Sequence, residues 1–478
     1  MAHSVPVTPY CGFVRDPQSG IRTVAESGPH VLVSAPTGAG KTRSVLAPAA
    51  VLWGGPAVVV SSKDDLFQLV AQRRYGPQAL IDLRPDYDAD YPGIETMSFD
   101  PTRMITTPDQ AVTAANTMMQ MSAVGLGSGV DQVSDAGIWE SNTEAPLAAM
   151  LYAAAKNRQG MDWVLLAVDN MDWDDDMLPV EAGWQQAAAT VQDKPLFYNA
   201  LRRTLKMDPR QRDSIALTMR KAVMPWMRLS LRGDRHDPFS ADFLDDPSAT
   251  LYVLSSPEGA IAGAAVTLLE NLIKIWRAKT ARKEMMHRLL IVIDEATNVA
   301  PMPALRRHVG EGRGLGVNLL LAVQGTSQFE TVYGSAYAHE LRDIFPAALI
   351  LFGAPEMEML ERAEEWSLQT TRRQESFDQA TGAKTLSSHT ASTLEYRRLL
   401  PTNKGRARLL RCGTVGVETE LADWDVFVTL FDAQVKRAVD AAGVQRESKP
   451  MWDRLTERHR QAAEHAKSSH EAGQKELT

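Results

Sequence analysis

The sequence predicts an α/β fold: a mostly parallel central sheet covered on both faces, with an all-α segment inserted into it. Three observations carry this. Short, nearly continuous apolar runs bounded by turn residues recur at Val31–Ser34, Ala57–Val60, Ala79–Leu83, Thr250–Leu254, Leu289–Ile293, Asn318–Val323 and Ala348–Phe352. Strands buried on both faces read this way, whereas half-solvated strands alternate. Helical stretches, such as Gly263–Ala278 and a Pro- and Gly-marked one around Pro303–Gly310, lie between these runs, which is α/β alternation. Between about Thr106 and Asp237 the alternation stops, and Ala, Met, Gln, Leu and Trp dominate.

Within that helical stretch a Gly/Ser-rich break, GLGSGVDQVSDAG, reads as a loop. Its Met and aromatic positions read as core packing and not as a cofactor box. From about Arg446 the chain turns highly polar with mixed charge, as a solvated helix or frayed tail does. No internal repeat is visible.

Bulk properties narrow the function. At 478 residues the chain exceeds one average domain. Its 44% hydrophobic and 23% charged residues are ordinary globular usage. A formal charge of -8 excludes a surface coated all round by nucleic acid, so any DNA contact must be local. Cys11 and Cys412 stand far apart without metal or disulfide spacing, which predicts a reducing, cytoplasmic setting. The N-terminus lacks a signal-peptide pattern, and no apolar stretch reaches the ~18 residues of a spanning helix.

The chemistry is concentrated in HVLVSAPTGAGKTRSVLAP, where an apolar strand runs into a Gly-rich loop and then a helix. Pro36, Thr37, Gly38, Ala39, Gly40, Lys41 and Thr42 form a phosphate-binding loop. Its backbone amides cradle phosphates, its lysine reaches the β and γ phosphates, and its hydroxyl serves magnesium. Ala35 stands where the strict pattern has its first glycine. ATP and magnesium are therefore the expected cofactors.

A second run, HRLLIVIDEATNV, ends in adjacent acids. Asp294 is suited to hold magnesium and Glu295 to orient or deprotonate an attacking water, which predicts hydrolysis in place of mere binding. A third run, NLLLAVQGTSQF, ends in Gln324, an amide suited to sensing the γ phosphate; capping of the following turn is the competing reading. Between them PALRRHVGEGRGLGVN carries Arg306, Arg307 and Arg313. Arg313 is the choice for an arginine lent across a subunit boundary, against a surface salt bridge.

With these residues assembled, the chain resembles the conjugative coupling proteins of type IV secretion, the TraG/TraD-type P-loop ATPases, from about Gly28 to Leu430. IDEATNVAPMPALRRHVGEGRGLGVNLLLAVQGTSQFETVYG is the most specific segment. Lys63, Asp65 and Leu66 in AVVVSSKDDLFQLVAQRRYG, and Trp139 and Glu140 in GIWESNTEAPLAAMLY, add to it; Ser61 stands where the family usually has Asp. The resemblance implies a RecA-like P-loop NTPase domain made of residues 28–105 and 238–445, an all-α insertion domain at 106–237, an N-terminal segment 1–27 and a polar tail 446–478. It also implies a homo-hexamer at the cytoplasmic face of the membrane that delivers relaxase-bound single-stranded DNA to the type IV secretion channel.

Family members commonly carry a membrane anchor before the P-loop, and its absence from this sequence implies either a membrane-anchored partner that tethers the protein or a soluble relative with a changed role. The basic stretches LRRTLKMDPRQR (Arg202, Arg203, Lys206) and NKGRARLLR (Lys404, Arg406, Arg408, Arg411) are candidate DNA contacts, each with a solvated face as the competing reading. Two further functions are open: a nucleotide-gated docking receptor for secreted cargo, and a double-strand DNA translocase of the chromosome-partition type. No winged-helix pattern favours the latter.

Overall fold

The structure is a computed structural model that describes residues 8–84, 91–123, 136–173, 181–232, 236–256, 259–284, 287–367, 369–377 and 384–442. The polar tail from 446 and most of the Gly/Ser-rich break lie outside the described residues. The strands are β1 (Phe13–Arg15), β2 (Arg22–Val24), β3 (His30–Ser34), β4 (Ala57–Ser61), β5 (Gln78–Asp82), β6 (Glu95–Thr96), β7 (Thr250–Leu254), β8 (Leu289–Ile293), β9 (Val317–Val323), β10 (Ala347–Leu351), β11 (Gln369–Phe377), β12 (Lys384–Ser392), β13 (Arg406–Arg411) and β14 (Val417–Glu420).

Twelve of them form one sheet in the order β2-β1-β14-β13-β10-β3-β9-β8-β4-β7-β5-β6. From β10 to β6 every neighbouring pair is parallel. Strands β13, β14, β1 and β2 continue the sheet antiparallel, so the sheet extends into the N-terminal segment. β11 and β12 pair only with each other, as a separate antiparallel hairpin.

The continuous apolar runs have a plain cause. Along β3, Leu32 joins one apolar cluster while Val31 and Val33 join another on the opposite face; along β4, Val58 and Val60 part from Ala57 and Val59 in the same way. Both faces are dry, so no position along these strands is polar for lack of an apolar neighbour. The face formed by Val31 and Val33 is covered by α1 (Ala47–Leu52), α2 (Asp64–Ala71) and, through Trp424 and Phe427, a late helix Trp424–Ala442.

The other face carries the helical stretch: α3 (Pro108–Ala123), α4 (Ala136–Asn157), α5 (Gly160–Asp169), α6 (Trp184–Thr190), α7 (Pro195–Leu205) and α8 (Pro209–Arg232). Met118, Leu151, Trp184, Leu201 and Met219 from these helices belong to the same apolar cluster as Leu32, Val58 and Ile81 of the sheet. Its large apolar side chains therefore fill a core continuous with that of the sheet. Then follow α9 (Gly259–Ala281), α10 (Ala296–Val299), α11 (Leu305–Glu311), α12 (Ser327–Tyr333), α13 (Ser335–Ile344), α14 (Met357–Glu365), α15 (Tyr396–Leu399) and the late helix, α16. Among the described residues, no helix is long and apolar enough to cross a membrane.

Candidate functional site

The site forms where the C-terminal ends of β3, β9 and β8 meet. Strand order decides this: β9 lies between β3 and β8, so the loops that follow the three strands are neighbours. Ligands of open parallel sheets bind at this edge. The Gly-rich loop leaves β3 with Ala35 fully buried and its N–H donated to the Val323 carbonyl of β9 at 3.1 Å. Alanine thus fits where a glycine would be expected. Gly38 and Gly40 take φ of +77° and +90°, which side chains rarely adopt, and a Cβ built on Gly38 would meet nothing within 4 Å. That open space over the loop is where phosphates fit. The chain then enters a π-helical turn, Thr42–Leu46, before α1.

Lys41 is buried and its Nζ lies 3.6 Å from Asp294 Oδ1 and 3.8 Å from Glu295 Oε1. The Thr42 hydroxyl donates to Asp294 Oδ2 at 3.1 Å. Burial pushes the Asp294 carboxyl above its ordinary pKa, opposed by Lys41 and Thr42 and reinforced by Glu295 and Asp65. Its Oδ1 is buried without a hydrogen-bond partner. A hydroxyl beside a buried, under-satisfied carboxylate oxygen suits a hard divalent cation. Among the described residues no group of three His, Cys, Asp or Glu gathers to cage an ion. Magnesium fits that sparse donor set, because it keeps several waters and takes few protein ligands.

Glu295 follows β8 in the left-handed region, at φ +56° and ψ +53°. A β-carbon in that region costs about 1–2 kcal/mol, and such strain concentrates at functional sites. The turn aims its carboxylate back at Lys41 and at Gln324, whose Nε2 donates to Glu295 Oε1 at 3.5 Å. The Gln324 side chain therefore faces the acids. Its own backbone N–H is taken by Gln328 Oε1 at 3.0 Å. Glu295→Gly relieves the backbone penalty while deleting the carboxylate. The expected result is an apo protein more stable by about 1 kcal/mol, read from its denaturant midpoint, with ATP turnover lost.

Arg313 is not brought to this edge. Its turn, Gly312–Leu315, precedes β9 at the opposite end of the sheet. There the buried His30 at the start of β3 accepts from the Leu319 N–H at 3.2 Å through Nδ1, so Nε2 carries the proton and donates to the Gly312 carbonyl at 3.3 Å. Burial lowers the His30 pKa to about 4, keeping the ring neutral. The length of β3, about 16 Å at 3.3 Å per residue, separates this turn from the phosphate loop. The Arg313 side chain lies outside the described part, as do those of Trp139 and Glu140.

Ser61, where the family usually has Asp, is buried at the end of β4 and accepts from the Lys63 N–H at 3.1 Å. Of the two basic stretches, Arg202 stacks over Trp173 at 4.9 Å, while Arg203 and Lys206 are exposed. Lys404 donates to the Gly38 carbonyl of the phosphate loop at 3.0 Å, and Arg406 of β13 lies 3.5 Å from its register partner Glu420 on β14.

Two further residues belong to the site. Glu356, 3% exposed, accepts from the Ser34 hydroxyl at 2.6 Å and from both the N–H and the hydroxyl of Thr326, at 2.7 and 2.6 Å. It clamps the ends of β3 and β9 together beneath the phosphate loop. Lys404 is the second. No local pattern marks Glu356 as the acceptor for Ser34 and Thr326, and Lys404, named above only as a candidate DNA contact, lies 366 positions from its partner in the phosphate loop.

The architecture recurs among solved structures. The unbound form of the bacterial conjugative coupling protein TrwBdeltaN70 aligns with a TM-score of 0.56 and 16% identity, over 86% of this chain and 88% of that one. The plasmid coupling protein TrwB with the non-hydrolysable ATP analogue ADPNP aligns at 0.54 and 17%, and its complex with ADP and Mg2+ at 0.52 and 17%, both over 88% of this chain and 96% of theirs. At such identities the likeness establishes the fold, a RecA-like P-loop NTPase fold. No curated protein sequence matches the chain. The profile of the type IV secretory system conjugative DNA transfer family matches residues 11–405, and the chain belongs to that family.

Proposed function

We propose that this protein is a magnesium-dependent ATPase that drives single-stranded DNA, carried with its relaxase, to the type IV secretion channel during conjugation. The observation that carries the reading is the convergence of Lys41, Thr42, Asp294, Glu295 and Gln324 at one sheet edge. Thr42 and Asp294 would hold magnesium, which would supply charge neutralisation at the phosphates. The loop amides and Lys41 position the β and γ phosphates. Glu295 orients a water and takes its proton, and Gln324 senses the γ phosphate through the same carboxylate. Complexes of TrwB with ADPNP and with ADP and Mg2+ support this choice of ligands.

Arg313, on the far side of the sheet from its own phosphate loop, serves the site of a neighbouring copy in a homo-hexamer. The assembly works at the cytoplasmic face of the membrane, held there by a partner. Magnesium-dependent ATP hydrolysis by the purified chain, with and without single-stranded DNA at low salt, tests the reading. Hydrolysis that rises severalfold with DNA is expected. Turnover indifferent to DNA overturns the motor in favour of a nucleotide-gated docking receptor.

A further inference from the structure

A second cleft, of about 590 Å³, opens between α3, α9 and α11. Its volume lies within the range of ligand sites. Its lining is polar, although the helices around it bury an apolar core elsewhere. Lys274 and Arg277 on α9 and Arg306 and Arg307 on α11 bring four cations to it. From α3 the exposed Asn116 and half-exposed Gln120 line the opposite wall. In a chain of net charge -8, this concentration of cations on two adjoining helices is local.

Three polar atoms of the lining residues are buried without partners: Arg277 Nε, Glu270 Oε1 and His308 Nδ1. Glu270 and His308, 9% and 2% exposed, bond through their other atoms, His308 Nε2 donating to Glu270 Oε2 at 2.8 Å. Buried polar atoms without a partner are satisfied by ordered water or by a ligand group that reaches them. Three of the cations are provisionally engaged: Lys274 with Asp109, Arg277 with Glu311 and Arg306 with Glu340, each at 2.6 Å. These pairs are partly exposed, with side chains between 32% and 80% accessible, and such pairs contribute little and exchange readily. Arg307 is exposed and has no ion pair among the described residues.

We propose that this cleft holds the DNA strand, with phosphates on Arg307, Arg306, Arg277 and Lys274 and base amino groups toward Glu270, Asn116 and Gln120. The ligand needs anionic oxygens for the guanidinium groups and N–H donors for a buried carboxylate oxygen, and nucleotides carry both. Inorganic phosphate carries only its own O–H as a donor and cannot span both the guanidinium groups and the polar wall of α3. The naming of DNA rests on the proposed transfer role, whereas the position of the strand rests on the cleft.

The test is binding of a fluorescent single-stranded oligonucleotide to the full chain without nucleotide, measured by anisotropy across a salt series. Arg307→Glu is expected to weaken binding about tenfold and to lower the salt slope by about one. Gln120→Lys is expected to tighten it, and Lys221→Glu at an exposed position of α8, with the same charge change, to leave it within about twofold. Unfolding midpoints of the variants check that each is folded. Equal losses in Arg307→Glu and Lys221→Glu mean general electrostatics only and overturn the assignment, as does wild-type binding in Arg307→Glu. Displacement by equimolar inorganic pyrophosphate overturns it too, in favour of a small-anion site. A wild type that hydrolyses ATP yet binds no oligonucleotide sinks the cleft and leaves the ATPase standing, whereas oligonucleotide binding without hydrolysis does the reverse.

Discussion

Glu295→Gln lowers ATP turnover by about two to three orders of magnitude while ATP still binds. The substitution keeps size and shape, so the left-handed turn after β8 and the approach to Gln324 at 3.5 Å persist. Lost are the negative charge 3.8 Å from Lys41 and the ability to take a proton from water. General-base catalysis typically contributes ~10²–10⁴-fold, whereas phosphate binding by the loop amides and Lys41 does not depend on this carboxylate. Steady-state hydrolysis, paired with binding of a fluorescent ATP analogue, separates the two. Turnover close to wild type would place the base elsewhere and remove the reason for the strained backbone at Glu295.

Glu356→Ala destabilises the protein by about 3 kcal/mol or more. Three donors, the Ser34 hydroxyl and the N–H and hydroxyl of Thr326, lose their acceptor in a site only 3% exposed. Unsatisfied buried donors cost about 1–3 kcal/mol each, partly relieved by relaxation or entering water. Arg342, which donates to Thr326 Oγ1 at 3.0 Å, adds to the disturbance. Because the clamp joins β3 to β9 beneath the phosphate loop, the surviving folded fraction binds ATP more weakly. Glu356→Gln keeps the shape and one acceptor oxygen and loses about half as much. Denaturant midpoints of the three proteins check the order, and an Ala variant as stable as wild type would remove Glu356 from the framework of the site.

Seven parallel strands were legible to within a residue or so, because burial on both faces writes an uninterrupted apolar run. The antiparallel strands beyond β10 were not. VETE of β14 and RTV of β2 are short and largely exposed, and RARLLR of β13 alternates charge with apolar residues, so each resembles a loop as much as a strand. The hairpin β11 and β12, in QTTRRQESF and KTLSSHTAS, has no sustained apolar face to betray it.

The same division runs through the site. The phosphate loop, the acidic pair and Gln324 each sit at the end of an apolar run, so sequence alone determined their type and local setting. Only the tertiary structure placed β9 between β3 and β8, turned Gln324 toward Glu295, put the Arg313 turn at the far edge and brought Glu356 under Ser34. Propensity and burial act over a few neighbouring residues, and sequence records them. Strand order and the meeting of side chains hundreds of residues apart are settled by packing the whole sheet, which no local stretch encodes.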